Sequence, residues 1–326
     1  MGKTGVEWAD FTWNPTSGCT KISEACEHCW AERVATTRLA GVGGYPKDNP
    51  FKVTMHPDHL EDPLHWTKPA KVFVVSMGDL FHPEVPFHFI ARVFAVMALA
   101  QQHTFLVLTK RPIRMLTFLR GQAAGGRFIW EAAQKIKMPR GQNKPAPGWP
   151  LPNVYLGVTA ENQERADERV PILLQCPAAG YYVSCEPLLG RVDLTGIRLP
   201  SEYNVTPTTP GYINALRERD DEHFYNAHLA LSWVIAGGET GPGARPTNPG
   251  WARFLRDQTQ SFRVPFLFKQ WGDWVPDQQF PEQFLSTYKE RRWITDLAYY
   301  RVGKKAAGRL LDRQEWNQFP PEFPQG

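Results

Sequence analysis

Three cysteines fall within residues 12–33, TWNPTSGCTKISEACEHCWAER, as Cys19, Cys26 and Cys29 with the spacing C-x6-C-x2-C. The chain has five cysteines in all and no basic-then-apolar start, so this trio points to a metal site rather than a disulfide framework. The number of sulfurs matters. Structural zinc and electron-transfer clusters take four protein ligands, whereas a centre that performs chemistry leaves a position open. Three readings stand side by side: a [4Fe–4S] cluster with one open iron, a structural or nucleic-acid-binding zinc, and ordinary thiols. His28 completes a Cys3His set on paper, but its neighbour Cys29 makes simultaneous tetrahedral ligation strained.

Such a loop needs elements to hold it. Alternation predicts a first strand over 6–13 that delivers the cysteines at its C-terminal end, and a helix over 26–39 that leaves them. Residues 41–70, rich in Gly, Pro and His, read as a long connection, with His56, His59 and His65 as solvated loop histidines. A unit then repeats: an apolar run, a polar or glycine-rich tip, a helical segment. The runs are 71–76, 104–109, 153–158, 181–185, 232–236 and 265–269. Their tips carry Ser76, Gly78 and Asp79; Lys110 and Arg111; Thr159, Glu161 and Asn162; Cys185 and Glu186; Gly237, Gly238 and Glu239; and Lys269.

Strands apolar on both faces and alternating with helices form a parallel sheet covered by helices. Six units after the first strand exceed what a simple open sheet needs, so the expected fold is α/β, a full or partial (β/α) barrel. Functional groups in barrels collect at the C-terminal ends of strands, where this chain places its Cys, Asp, Glu, Lys and Arg. The barrel is expected over 1–274, with insertions at 121–152 and 196–230 that could include a lid, and a C-terminal extension, 275–326, packed on one face.

Composition narrows the classes. With 42% hydrophobic residues the 326-residue chain can bury a sizeable core, and it has no apolar run of about eighteen residues for a membrane span. A cytoplasmic protein is expected. The net charge of +4 and pI near 8.7 permit a nucleic-acid or nucleotide partner without requiring one.

With a three-cysteine loop after the first strand of a β/α chain, the sequence resembles the radical S-adenosylmethionine (radical SAM) superfamily. More narrowly, it is similar to an uncharacterised family of phage and prophage proteins within or beside it. That resemblance spans most of the chain through residues 12–33, SMGDLFH (76–82), LTKRP (108–112), SCEPLLG (184–190), GGETGPGARP (237–246) and FKQWG (268–272). It implies a [4Fe–4S] cluster on Cys19, Cys26 and Cys29, its fourth iron chelated by SAM, and one-electron cleavage to a 5′-deoxyadenosyl radical. The first cysteine gap is six here, against the superfamily's usual three; Thr20 to Ala25 can loop out.

The resemblance also implies SAM-facing roles. His28 takes a position commonly aromatic and near the adenine. Ser76, Gly78 and Asp79 stand where a Gly-Gly-Glu often holds the SAM amino group, and Thr159, Glu161 and Asn162 where polar side chains meet the ribose or carboxylate. Gly237, Gly238 and Glu239 match the Gly-Gly-Glu letters several strands late and could line the same cavity. An external electron donor and a separately encoded partner protein are implied in the same way.

Each of these residues has a plainer reading. Asp79 could cap a helix or bind backbone amides, and Glu239 could brace its loop through Arg245. Cys185 could donate a hydrogen atom to a substrate radical or be a small buried hydrophobe. Lys110, Arg111 and Lys269 could grip a substrate phosphate or carboxylate, or pair with Glu161, Glu186 or Glu239. The leading expectation is a radical SAM enzyme modifying or repairing a nucleic-acid base or nucleotide. The alternative is a zinc-containing nucleic-acid-binding protein without catalytic activity, and a third is a metal-free barrel hydrolase or isomerase.

Overall fold

Seven strands form one parallel sheet in the computed structural model, which describes residues 4–122, 126–140, 143–145, 148–201, 211–217 and 230–324. They are β1 (Phe11–Trp13), β2 (Lys71–Val74), β3 (Thr104–Thr109), β4 (Val154–Thr159), β5 (Gly180–Cys185), β6 (Leu231–Ala236) and β7 (Phe266–Phe268). Each pairs only with its neighbours in sequence, so the spatial order is the chain order. Repeating one parallel connection makes the sheet curl, and it forms a half-barrel. Registers such as Val72↔Phe105, Val107↔Leu156, Leu156↔Tyr181 and Val234↔Phe266 keep the β-branched and aromatic runs in step.

Period-two alternation divides the sheet's residues between two cores. Val72, Val74, Phe105, Val107, Leu156, Val158, Tyr181, Val183, Cys185, Val234 and Phe266 face the helices. Those helices are α2 (Phe87–Leu99), α3 (Pro112–Arg120), α4 (Arg127–Lys135), α5 (Gln163–Leu173) and α6 (Pro249–Ser261). The other parity, Leu106, Tyr155, Tyr182, Trp233, Ile235 and Leu267, with Phe73 and Leu108 packed alongside, lines the inner face. Trp8 from the N-terminal segment and Phe319 and Phe323 from the tail fill that hollow; Trp233 has ring centroids 5.3 Å from Phe319 and 5.4 Å from Phe323. The lower part of the half-barrel is therefore an aromatic plug.

The expected helix over 26–39 is shorter and broken. A 3-10 turn covers Glu24–Cys26, α1 proper is Trp30–Val34, and Ala35–Leu39 is a π-turn. Cys29 is the N-cap residue of α1, in extended-type geometry, so all three cysteines precede the helix. His56 is not solvated as expected: it is buried, its Nε2 lies 2.7 Å from Ser17 Oγ, and burial, then His59, hold its pKa below the ordinary value. His59 remains exposed beside Asp62.

In the 121–152 insertion, α4 packs against α2. In the 196–230 insertion, the described part is a small ladder of Ile197–Arg198 with Tyr212–Ile213; the proposed lid falls largely outside the described residues. Beyond the barrel, β8 (Trp274–Pro276), β9 (Arg291–Ile294) and β10 (Leu297–Arg301) form an antiparallel sheet in the order β8-β10-β9. Among the described residues, no helix is long and apolar enough to cross a membrane.

Candidate active site at the C-terminal rim

The cysteine loop lies along the rim of the half-barrel and is tied to both sides of it. On the near side, Gly18 bridges to Gly78 beyond the end of β2, and the Gly18 amide donates to Met77 O at 2.9 Å. The approach is too close for side chains. A Cβ on Gly78 would sit 2.7 Å from Gly18 O, and Gly18, at φ +82°, would place one 2.2 Å from Lys52 O. Gly78 therefore admits the cysteine loop's own backbone.

On the far side, three cations clamp the loop. Arg165 of α5 reaches Glu24 at 3.1 Å. Arg245 donates to Glu24 O at 2.8 Å and Glu27 Oε2 at 2.9 Å, while Arg33 donates to Thr240 O at 3.0 Å. Glu239 holds the Arg245 guanidinium in a fork at 2.7 and 2.9 Å, the bracing role considered for it. His28 rests against Gly243, where a Cβ would come within 2.6 Å of the imidazole Cε1. Gly238 admits Trp271 O, and Gly237 the Glu186 carboxylate. The glycines of this segment serve close approaches within the chain.

The sulfurs sit in different fields. All five cysteines are free, and Cys19, Cys26 and Cys29 are part-exposed. Arg111 Nη1 donates to Cys19 Sγ at 3.3 Å. Burial nonetheless pushes the Cys19 thiol up to about 11, with Asp79 and Cys26 adding to it against the pull of Arg111. For Cys26 burial also raises the thiol, but the charge of Lys110 and hydrogen bonds at Ile22 and Ser23 outweigh it, and the net shift is downward. Among the described residues, no three His, Cys, Asp or Glu side chains are gathered closely enough to hold an ion as they stand. The donor set still suits a thiolate-bound group: three reduced sulfurs on one loop, two of them coupled electrostatically, one beside a guanidinium and one beside an ammonium.

The rim carboxylates separate into committed and available groups. Asp79 is saturated, accepting from Phe81 N (3.0 Å), Thr109 Oγ1 (2.7 Å), Lys110 N (3.1 Å) and Arg111 Nη1 (3.0 Å). Glu161 is fully buried and paired with Arg169 of α5 at 2.9 Å. Asn162 caps α5 by accepting from Arg165 N at 3.0 Å. Ser76 donates to Asn14 at 3.2 Å. Cys185 is fully buried in the core beneath the helices, and burial, then Glu161 and Glu186, raise its thiol pKa strongly. It faces away from the hollow, so the hydrogen-donor role considered for it has no support at this position.

The inner face holds what remains. Lys110 continues the parity of Leu106 and Leu108, Thr159 that of Tyr155 and Gly157, and Ser184 and Glu186 that of Tyr182. Glu186 Oε1 meets Lys269 Nζ at 3.1 Å, and its Oε2 accepts from Ser184 Oγ at 3.1 Å and Trp8 Nε1 at 3.2 Å. Tyr182 Oη, fully enclosed below, has no hydrogen-bond partner among the described residues. Lys110 Nζ has no carboxylate within ion-pair distance among them. Glu186 is more than the pairing partner its place at a strand tip suggests: the alternation Tyr182, Ser184, Glu186 is the sequence signal that places it on the inner face.

No curated protein and no solved structure matches this chain. Residues 3–320, from before β1 into the aromatic tail, match the model of a family described as a protein of unknown function (DUF5131), and the chain belongs to that family.

Proposed function

We propose that this chain is a radical SAM enzyme acting on a nucleic-acid base or nucleotide. The observation that carries the reading is the position of three unpaired thiols, on a loop at the C-terminal rim of a parallel half-barrel, beside a cationic and polar inner layer. Cys19, Cys26 and Cys29 would hold a [4Fe–4S] cluster, leaving one iron for S-adenosylmethionine. Bound together, the two groups would supply one-electron chemistry of the kind that generates a 5′-deoxyadenosyl radical.

The chain's own residues have separate tasks in this reading. Arg111 places positive charge against Cys19 Sγ and favours its thiolate. Lys110 does the same for Cys26 and leaves an ammonium free for a phosphate or carboxylate. Glu186, held by Lys269, Ser184 and Trp8, offers a carboxylate to a ligand ammonium. The aromatic plug keeps water from reaching the hollow from below. Asp79, Glu161, Asn162, Ser76 and Glu239 position the rim rather than touch ligand.

Anaerobic purification tests the proposal. The expected protein is brown, with a broad band near 400 nm and about four irons per chain, both lost in Cys19→Ser. With dithionite and S-adenosylmethionine it releases 5′-deoxyadenosine. Colourless protein carrying about one zinc and releasing none would replace this reading with the zinc-binding alternative.

A further inference from the structure

The outer strand of the second sheet has no role in this chemistry, yet its composition is specific. β9, Arg291–Ile294, is exposed at every residue, and exposure runs from Lys289 to Asp296. Trp293 is 62% exposed. Glu290 is engaged by Arg301 at 3.2 Å, whereas Lys289, Arg291 and Arg292 have no carboxylate partner among the described residues. The Arg291 guanidinium lies 5.4 Å from the Trp293 ring centroid and 5.9 Å from that of Tyr300; Arg292 lies 4.6 Å from that of Trp274. Stacking uses the face of a guanidinium and leaves its N–H edge for an acceptor such as a phosphate oxygen.

An exposed edge strand invites pairing with another strand, and clustered cations oppose that pairing. The same cations with an open indole suit a flexible polyanion with flat bases. We propose that β9 is a docking platform for single-stranded nucleic acid, with Trp293 stacking on a base, Arg291 on the same face and neighbouring Lys289 meeting phosphates, and Arg292 reaching the backbone from the other face of the edge strand. Its location supports this. Arg301 donates to Gly241 O at 3.2 Å and Trp274 Nε1 to Ala244 O at 2.7 Å, so the sheet is seated on the segment that clamps the cysteine loop. β9 is joined to that segment through β8 and β10, which make these contacts. The platform makes the substrate of the proposed reaction a polymer and rests on that reading for its purpose, though not for its binding.

Fluorescence anisotropy of the full-length chain with labelled single-stranded DNA and RNA, and with duplex DNA of equal length, tests the platform at several salt concentrations. Wild type should prefer single strands. Trp293→Ala should weaken binding about tenfold, in line with the loss of one stacked base. Replacing Lys289, Arg291 and Arg292 with Ala should reduce the slope of log K against log salt by about 2, near 0.7 per phosphate. Circular dichroism and iron content serve as folding controls and should match wild type. Absence of binding, equal binding by the variants, or preference for duplex overturns the platform. Cys19→Ser separates the two ideas: it should lose iron and keep full oligonucleotide affinity.

Discussion

Asp79 shows how a residue can look like a ligand and serve as a knot. It is buried, and its two oxygens take a backbone turn, a hydroxyl on β3, an amide and a guanidinium. Asp79→Ala would leave Arg111 buried without its anion, and loss of about 3–5 kcal/mol is expected in urea denaturation. Cys19 should then react faster with a thiol reagent, because Arg111 bridges the two. Glu186→Gln should behave differently, with a denaturation midpoint close to wild type and, on the proposed reading, S-adenosylmethionine affinity down about tenfold, one charge-assisted hydrogen bond. The strand tips were legible in the sequence because polar residues end apolar runs. Which of them face inward depends on register: one step along β5 puts Cys185 under the helices and Glu186 over the hollow.

At the level of elements, the six strands after the first were readable to within two residues, whereas the first, expected over 6–13, is only Phe11–Trp13 because the chain turns at Glu7 and Trp8. Runs such as KVFV and TFLVLT are mostly β-branched, aromatic or Leu and largely buried on both faces, which few other elements tolerate. The glycines were harder, since a sequence shows that something approaches closely and not what does so. At Gly238 it is Trp271 O, only 1.8 Å from where a Cβ would stand, and at Gly78 it is the cysteine loop. Gly238→Ala must displace backbone and should cost about 1–3 kcal/mol by thermal or chemical denaturation, without a change in composition of the rim. The break in the predicted 26–39 helix follows from Cys29, whose extended-type backbone starts α1 only after the last sulfur.

Across the whole molecule, the tail is part of the barrel. Phe323, buried against Tyr155 and Trp233, should cost about 3–5 kcal/mol when truncated to Ala. Asp312 fastens the same tail to α6 through Arg253 at 2.8 Å and Arg256 at 2.6 Å. Its hydrogen bond from Arg253, partly opposed by burial and helped by Arg256, holds its carboxyl well below the ordinary value. Its contribution is therefore complete above the unfolded carboxyl value of 3.8 and declines as pH falls below it. Asp312→Asn should lower the melting temperature at neutral pH and flatten its fall in acid, read by a thermal melt at each pH.

The clamp on the far side of the cysteine loop is made of guanidinium–oxygen contacts, several of them open to solvent, and only a small apolar cluster about Ala31, Ala35 and Met77 backs Cys29. Such fastenings yield to ionic strength while the two hydrophobic cores stay intact. On the proposed reading, folding and metallation are thus separable events: the polypeptide would mature first and receive iron and sulfide afterwards. Apo-protein should accept them without denaturant, faster in moderate salt, with its far-ultraviolet spectrum unchanged from start to finish.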